Sequence, residues 1–133
     1  MLPKKKIEGL VEYWIKSSEK DLDVMEGLYG LKRYSSCLFF AHLVLEKALK
    51  ATVVRVTDEY APRTHNLPHL AELAKLELSQ EEKELLEEAD TFNMEARYPD
   101  EKFDFYKKCT KAYTDRIYKP IVTLYKKLCQ KAM

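Results

Sequence analysis

His42 and Glu46 stand at i and i+4 in the stretch YSSCLFFAHLVLEKALKAT, residues 34–52, with Lys50 one turn further on. That spacing aligns an imidazole, a carboxylate and an ammonium along one side of a helix. The surroundings are apolar: between Cys37 and Leu49 only His42, Glu46 and Lys47 are polar. Two chemistries fit the trio. One is a buried imidazole satisfied by Glu46, because enclosed polar groups must find partners. The other is a polar pocket between helices for a phosphate or a base, with Lys47 or Lys50 supplying the charge. A zinc site would need a second His or Cys brought in from elsewhere in the chain.

Two further clusters carry reactive side chains. In Pro62-Arg63-Thr64-His65-Asn66 a guanidinium and an imidazole precede a short helical pattern, Leu67, Leu70, Ala71 and Ala74, with Pro68 in its first turn. Free N–H groups at such a helix start attract anions, which makes Arg63, His65 and Asn66 an anion-site arrangement. The same residues also make a capping motif, with Asn66 or Thr64 accepting from those N–H groups and His65 packed over the turn. After Glu95, the side chains of Arg97, Tyr98 and Asp100 stand together. An adjacent Arg and Tyr can stack on and pair with a nucleotide, or tie their loop to Glu95. The tyrosines near the C-terminus, Tyr106, Tyr113, Tyr118 and Tyr125, read as core and interface rather than as an RNA-stacking surface. No Gly-rich phosphate loop, nucleophile motif or paired-carboxylate signature occurs.

The elements that must hold these groups are helical. Ile7, Leu10, Val11, Trp14, Ser18, Leu22, Met25 and Leu28 give a long amphipathic first helix, broken near Gly30. A very short turn then leads into the central helix, so the two form an antiparallel hairpin. Cys37, Ala41, Val44, Leu45 and Ala48 make the central helix's stripe, and Phe39, Phe40 and Leu43 fill most of what remains. Such a helix should be covered on nearly all sides, by its own chain and by a second copy of the protein. It runs to about Arg55, and residues 56–65 form the longest loop. The short helix spans Asn66 to Lys75. Ser79 with Glu82 reads as a capping box opening a helix from Gln80 to about Ala96, which Pro99 stops. RYPDEKFD is then a loop, and one stripe from Tyr106 through Leu128 gives a last helix that Pro120 kinks near Arg116 or divides. The expected fold is all-α, an antiparallel up-and-down four-helix bundle with one additional short helix, in a single domain over residues 1–133. Trp14, Phe40, Leu45, Leu86, Phe92 and Tyr113 are its expected core.

Composition agrees. With 46% hydrophobic residues, 34% charged and only three Gly, the chain has little material for hairpins. A formal net charge of +1 produces no long-range field that gathers nucleic acid, so any such binding needs a local patch. Three scattered cysteines make neither a disulfide framework nor a zinc pattern and suit a reducing compartment. No segment reaches the roughly 18 uncharged residues of a membrane span. The expectation is a cytoplasmic protein with no membrane association, no metal and no cofactor.

YSSCLFFAHLVLEKALKA, then PRTHNL at a short helix, then EARYPD ahead of a long final helix, resembles the HEPN family of small helical domains thought to bind nucleotides. The most specific parts are Glu46 to Ala51, Thr64 to Leu67 and Glu95 to Pro99. The resemblance implies a helical bundle, dimerisation and, in many members, pairing with a small nucleotidyltransferase. The family also includes metal-independent ribonucleases, some toxin-like, which carry an Arg followed several residues later by a His near the start of the last long helix. Arg97 lies in about the right place, but YPDEKFDFYKK after it contains no His. A missing general acid/base removes a contribution of typically about 10²–10⁴-fold. Three readings follow. The first is a non-catalytic nucleotide- or RNA-binding subunit beside a nucleotidyltransferase. The second is a ribonuclease using His65 or His42, and the third is a ligand-free homodimerisation module. For the first, Arg63, His65 and Arg97, with His42, Glu46 and Lys50 behind them, are expected to line one pocket.

Overall fold

The computed structural model describes every residue except Ala96, and the described residues form six helices and no strand. They are α1 (Lys4–Gly30), α2 (Tyr34–Thr57), α3 (Leu67–Leu73), α4 (Gln80–Asp90), α5 (Pro99–Lys108) and α6 (Lys111–Ala132). Side-chain pairings give the directions. Asp21 of α1 pairs with Lys47 of α2, and Glu8 with Arg55, so α1 and α2 run antiparallel. Thr52 and Arg55 donate to the carbonyls of Leu128 and Ala132, so α6 runs parallel to α2. Glu82 meets Lys127 while Glu88 meets Tyr113 and Arg116, which sets α4 antiparallel to α6. The four run up, down, up and down, as the helical periodicity predicts.

α2 lies at the centre. It packs against α1, α3, α4 and α6, and every residue from Ala48 to Val54 is buried. Most of its cover comes from its own chain, while Phe39, Phe40 and Leu43 remain half-buried. Leu45, Leu86 and Phe92 are fully enclosed. Trp14, Phe40 and Tyr113, expected beside them, are only half-buried. Trp14 carries the Lys50 ammonium over its ring at 5.2 Å, and Tyr113 donates its hydroxyl proton to Glu88.

Three boundaries differ from the expectation. α4 ends at Asp90 rather than near Ala96, which lies outside the described residues. Asp90, Thr91 and Asn93 are weak helix formers whose side chains compete with the helix for backbone groups. Thr91 does so directly, donating to the Glu88 carbonyl at 2.6 Å, while Phe92 turns into the core. The segment after Arg97 is a helix, not a loop. Pro99 is its first residue rather than the terminator of the previous helix, and Asp100 and Glu101 in the first turn with Lys107 and Lys108 in the last match the helix dipole. The break in the last stripe falls at Cys109 and Thr110, where the Thr110 hydroxyl caps α6 by accepting from Tyr113 N–H. α6 runs on through Pro120.

The capping box is complete: Ser79 accepts from Glu82 N–H, and Glu82 accepts from Ser79 N–H. Replacing Ser79→Ala should lower unfolding stability by about 1 kcal/mol, read as a shift in denaturant midpoint with unchanged native helicity. Leu45→Ala, which opens a cavity in the fully enclosed face of α2, should cost about 2–5 kcal/mol in the same measurement.

Candidate functional site

The polar line on α2 becomes a connected cluster. Residues 58–66 turn back along α2 and bring His65 against Glu46 and His42, some three turns before the helix end. Glu46, buried to 5% exposure, uses both carboxylate oxygens: Oε1 accepts from Nδ1–H of His65 at 2.9 Å, and Oε2 meets Lys50 Nζ at 3.1 Å. His42 is fully enclosed. Its Nε2–H donates to the His65 carbonyl at 3.0 Å, since a carbonyl can only accept. That assignment leaves Nδ1 without a proton and without a hydrogen bond, 3.8 Å from Glu46 Oε1. Burial holds the imidazole of His42 below its ordinary pKa of 6.5, against the opposing pull of Glu46 and the His65 carbonyl. His42 is therefore neutral.

The satisfied-imidazole reading thus holds for His42 in altered form: the principal partner is the His65 backbone, not Glu46. Lys50 lies buried between Glu46 and the Trp14 ring, and Lys47 pairs with Asp21 at 2.6 Å. Neither lysine offers an unpaired charge to a pocket. What the cluster does present outward is the His65 ring, whose side chain is 62% exposed. With Nδ1–H engaged by Glu46, the free Nε2 points away from that bond, so His65 is an oriented acceptor, or a donor when protonated.

The anion site expected at the start of the short helix is closed. Leu67 N–H donates to Asp90 Oδ1 at 2.9 Å, Pro68 has no N–H, and His69 N–H donates to Asn66 Oδ1 at 2.9 Å. Asn66 is the cap, the second of the two readings of that motif, and Thr64 accepts from Asn66 N–H at 3.2 Å. Asp90 carried no signal in the sequence. It holds α3 to the end of α4 and lies 3.9 Å from His42 Nε2. Only its position beside helix-weak Thr91 marks it as something other than a surface carboxylate.

The Leu67–Asp90 bond joins the start of α3 to the end of α4, but Arg97 does not join the His65 cluster. Its guanidinium pairs with Glu101 at 3.6 Å and lines a separate depression with Thr91, Met94, Asp104, Phe105 and Lys108. Tyr98 is exposed beside it. Arg63 is exposed on the His65 loop and forms no ion pair among the described residues. His65 supplies the second His that a zinc site would need, yet it bonds directly to Glu46. Among the described residues no group of three or more His, Cys, Asp or Glu side chains is arranged to hold a metal, and no helix is long and apolar enough to cross a membrane.

An up-down-up-down bundle, with a buried polar cluster tying its central helix to the following loop, defines a small helical domain. The chain belongs to the HEPN domain family, whose model matches residues 11–130. Comparison with curated proteins and with solved structures gave no match.

The His42 geometry sets a pH dependence. Its folded-state pKa lies below 6.5, so the unfolded chain binds the proton more readily. This contribution to stability is fully present above pH 6.5 and is lost as the pH falls from there through the folded-state value. Denaturant unfolding across that window should show stability declining on acidification, with a shallower slope in His42→Gln.

Proposed function

We propose that this HEPN domain is a non-catalytic binding subunit for a phosphate-bearing ligand, a nucleotide or RNA, acting beside a nucleotidyltransferase in the cytoplasm. The observation that carries the non-catalytic part is the surroundings of Arg97. All three histidines, His42, His65 and His69, precede it in the chain, and its nearest charged partner is the carboxylate of Glu101. A carboxylate in that place draws on the guanidinium's charge and supplies no imidazole to move a proton. Ligand contact is assigned to the exposed Arg63 and the oriented His65 ring, with Glu46, Lys50 and His42 holding that ring in place and Asn66 fixing the backbone behind it. Arg97 and Tyr98 form a separate basic and aromatic contact. The nucleotidyltransferase partner is carried over from the family resemblance. A homodimer is supported by the half-buried Phe39, Phe40 and Leu43 on the outer side of α2.

One observation favours a ribonuclease instead. Glu46 holds His65 Nδ1–H at 2.9 Å and leaves Nε2 free, an arrangement suited to a general base. The two readings separate in one pair of assays. Titration with ATP or a short RNA should give measurable binding that weakens about 10- to 150-fold in Arg63→Ala, the loss of one charge-assisted hydrogen bond. The wild type should not cleave RNA at a useful rate. Cleavage that disappears in His65→Ala would assign catalysis to the Glu46–His65 pair and overturn the binding-only role.

A further inference from the structure

α5 is the least covered helix. It makes only scant backbone contact with the others, and Phe105 is its one buried residue. Phe103 and Tyr106 are exposed to 59% and 69%, although aromatic rings of that size normally gain by burial. Helical spacing sorts the rest of its side chains. Lys102 and Phe103 share the side of Tyr106, and Lys107 holds its ammonium 4.4 Å above the Phe103 ring. Glu101 and Asp104 lie on the opposite side, in the depression with Arg97. The side bearing Tyr106 is therefore aromatic and basic, with Asp100 at its flank by Phe103 and Lys107.

Tyr106 also forms one wall of a cavity of about 390 Å³ whose other walls are Lys32 and Arg33 of the turn between α1 and α2 and Tyr34, Ser35 and Ser36 of the first turn of α2, with Cys109 alongside. No acidic side chain lines it, and neither Lys32 nor Arg33 forms an ion pair among the described residues. Both cations stand where stability alone favours other residues. Lys32 adopts a left-handed backbone, φ 61°, a conformation that suits Gly or Asn. Arg33 precedes α2 without capping it, where Ser, Thr, Asp or Asn would.

We propose that this face is a binding site for single-stranded nucleic acid, with a phosphate in the Lys32–Arg33–Ser35–Ser36 cavity and a base stacked on Tyr106. The site is distinct from the Arg63–His65 loop and does not rest on that reading. Unpaired cations beside hydroxyl donors match a phosphodiester, and exposed rings next to them match the unpaired bases of a single strand. A protein partner would want an apolar floor, whereas this cavity is walled by cations and hydroxyls. Tyr106 thus departs from the core-and-interface role that its place in a tyrosine-rich segment implies. The net charge of +1 is no obstacle, because the patch is local.

Fluorescence anisotropy with labelled eight-nucleotide oligo(U) and oligo(dT), and with a duplex control, tests this. The single strands should bind more tightly than the duplex. Tyr106→Ala should weaken binding about 5- to 150-fold, and Tyr106→Phe should retain it. Lys32→Ala with Arg33→Ala should weaken binding and flatten the dependence of log affinity on log salt by about 0.7, because the phosphate in the cavity is then no longer neutralised by the protein. Ultraviolet cross-linking of oligo(U) to the wild type, mapped by peptide mass, should mark the peptide containing Tyr106, and this measurement needs no variant to fold. Absence of binding at low salt, equal affinity for the duplex, or cross-links confined to other peptides would each overturn the proposal. So would Phe103→Ala or Tyr106→Ala converting a dimer to a monomer with oligonucleotide affinity intact, since the face would then be a protein interface.

Discussion

A carboxylate inside an otherwise apolar helix is the constraint on which the arrangement of this protein depends. Glu46 lies in the middle of α2, enclosed by the bundle, and a buried charge left alone is far more costly than one that is paired and hydrogen-bonded. Lys50, a turn away on the same helix, satisfies one oxygen. The other oxygen needs a donor from outside the helix, and His65 supplies it only because residues 58–66 fold back along α2. Once His65 is there, its carbonyl accepts the hydrogen bond from His42 Nε2–H, and the following Asn66 caps α3. Leu67 N–H then finds Asp90, which locks the end of α4 to the start of α3. A single burial problem in α2 thereby sets the course of the chain from Thr57 to Asp90.

The same cluster separates what is inert from what is available. His42 and Lys50 are enclosed and engaged, so they act on function through the shape they hold rather than by touching a ligand. His65 is the member that reaches solvent, with its ring orientation set by Glu46. Fixing one nitrogen of an imidazole to a buried carboxylate determines which nitrogen faces outward, a condition for selective hydrogen bonding as much as for catalysis. Further along, Phe92 anchors the chain after α4 and Phe105 packs near it, ring centroids 5.6 Å apart. This aromatic contact is the main hold on α5, which leaves most of that helix and its exposed rings facing outward.

The periodicity of apolar residues determined the all-helical class, the α1–α2 hairpin, the short helix capped by Asn66 and the Ser79–Glu82 capping box, because these follow from spacing and local hydrogen bonding within a few residues. It also marked α2 as central, since a helix with almost no polar face can only be enclosed. Proline was locally ambiguous. Pro99 opens α5 where it read as the end of α4, and Pro120 is carried within α6, because a missing N–H is tolerated at a first turn and can be accommodated elsewhere by tertiary packing.

The partners of the reactive groups were a matter for the tertiary structure alone. His42, Glu46, Lys50 and His65 were legible as candidates by residue type and spacing, yet that His65 rather than His42 bonds Glu46, that Asp90 closes the N–H groups of α3, and that Arg97 turns to Glu101 depend on where a loop returns. Loop return is decided by long-range burial and by the hydrogen-bond needs of distant residues, and local sequence carries neither. The cation pair Lys32–Arg33 and the ring of Tyr106 show the same limit: they lie far apart in the chain, and only the tertiary structure brings α5 beside the first turn of α2.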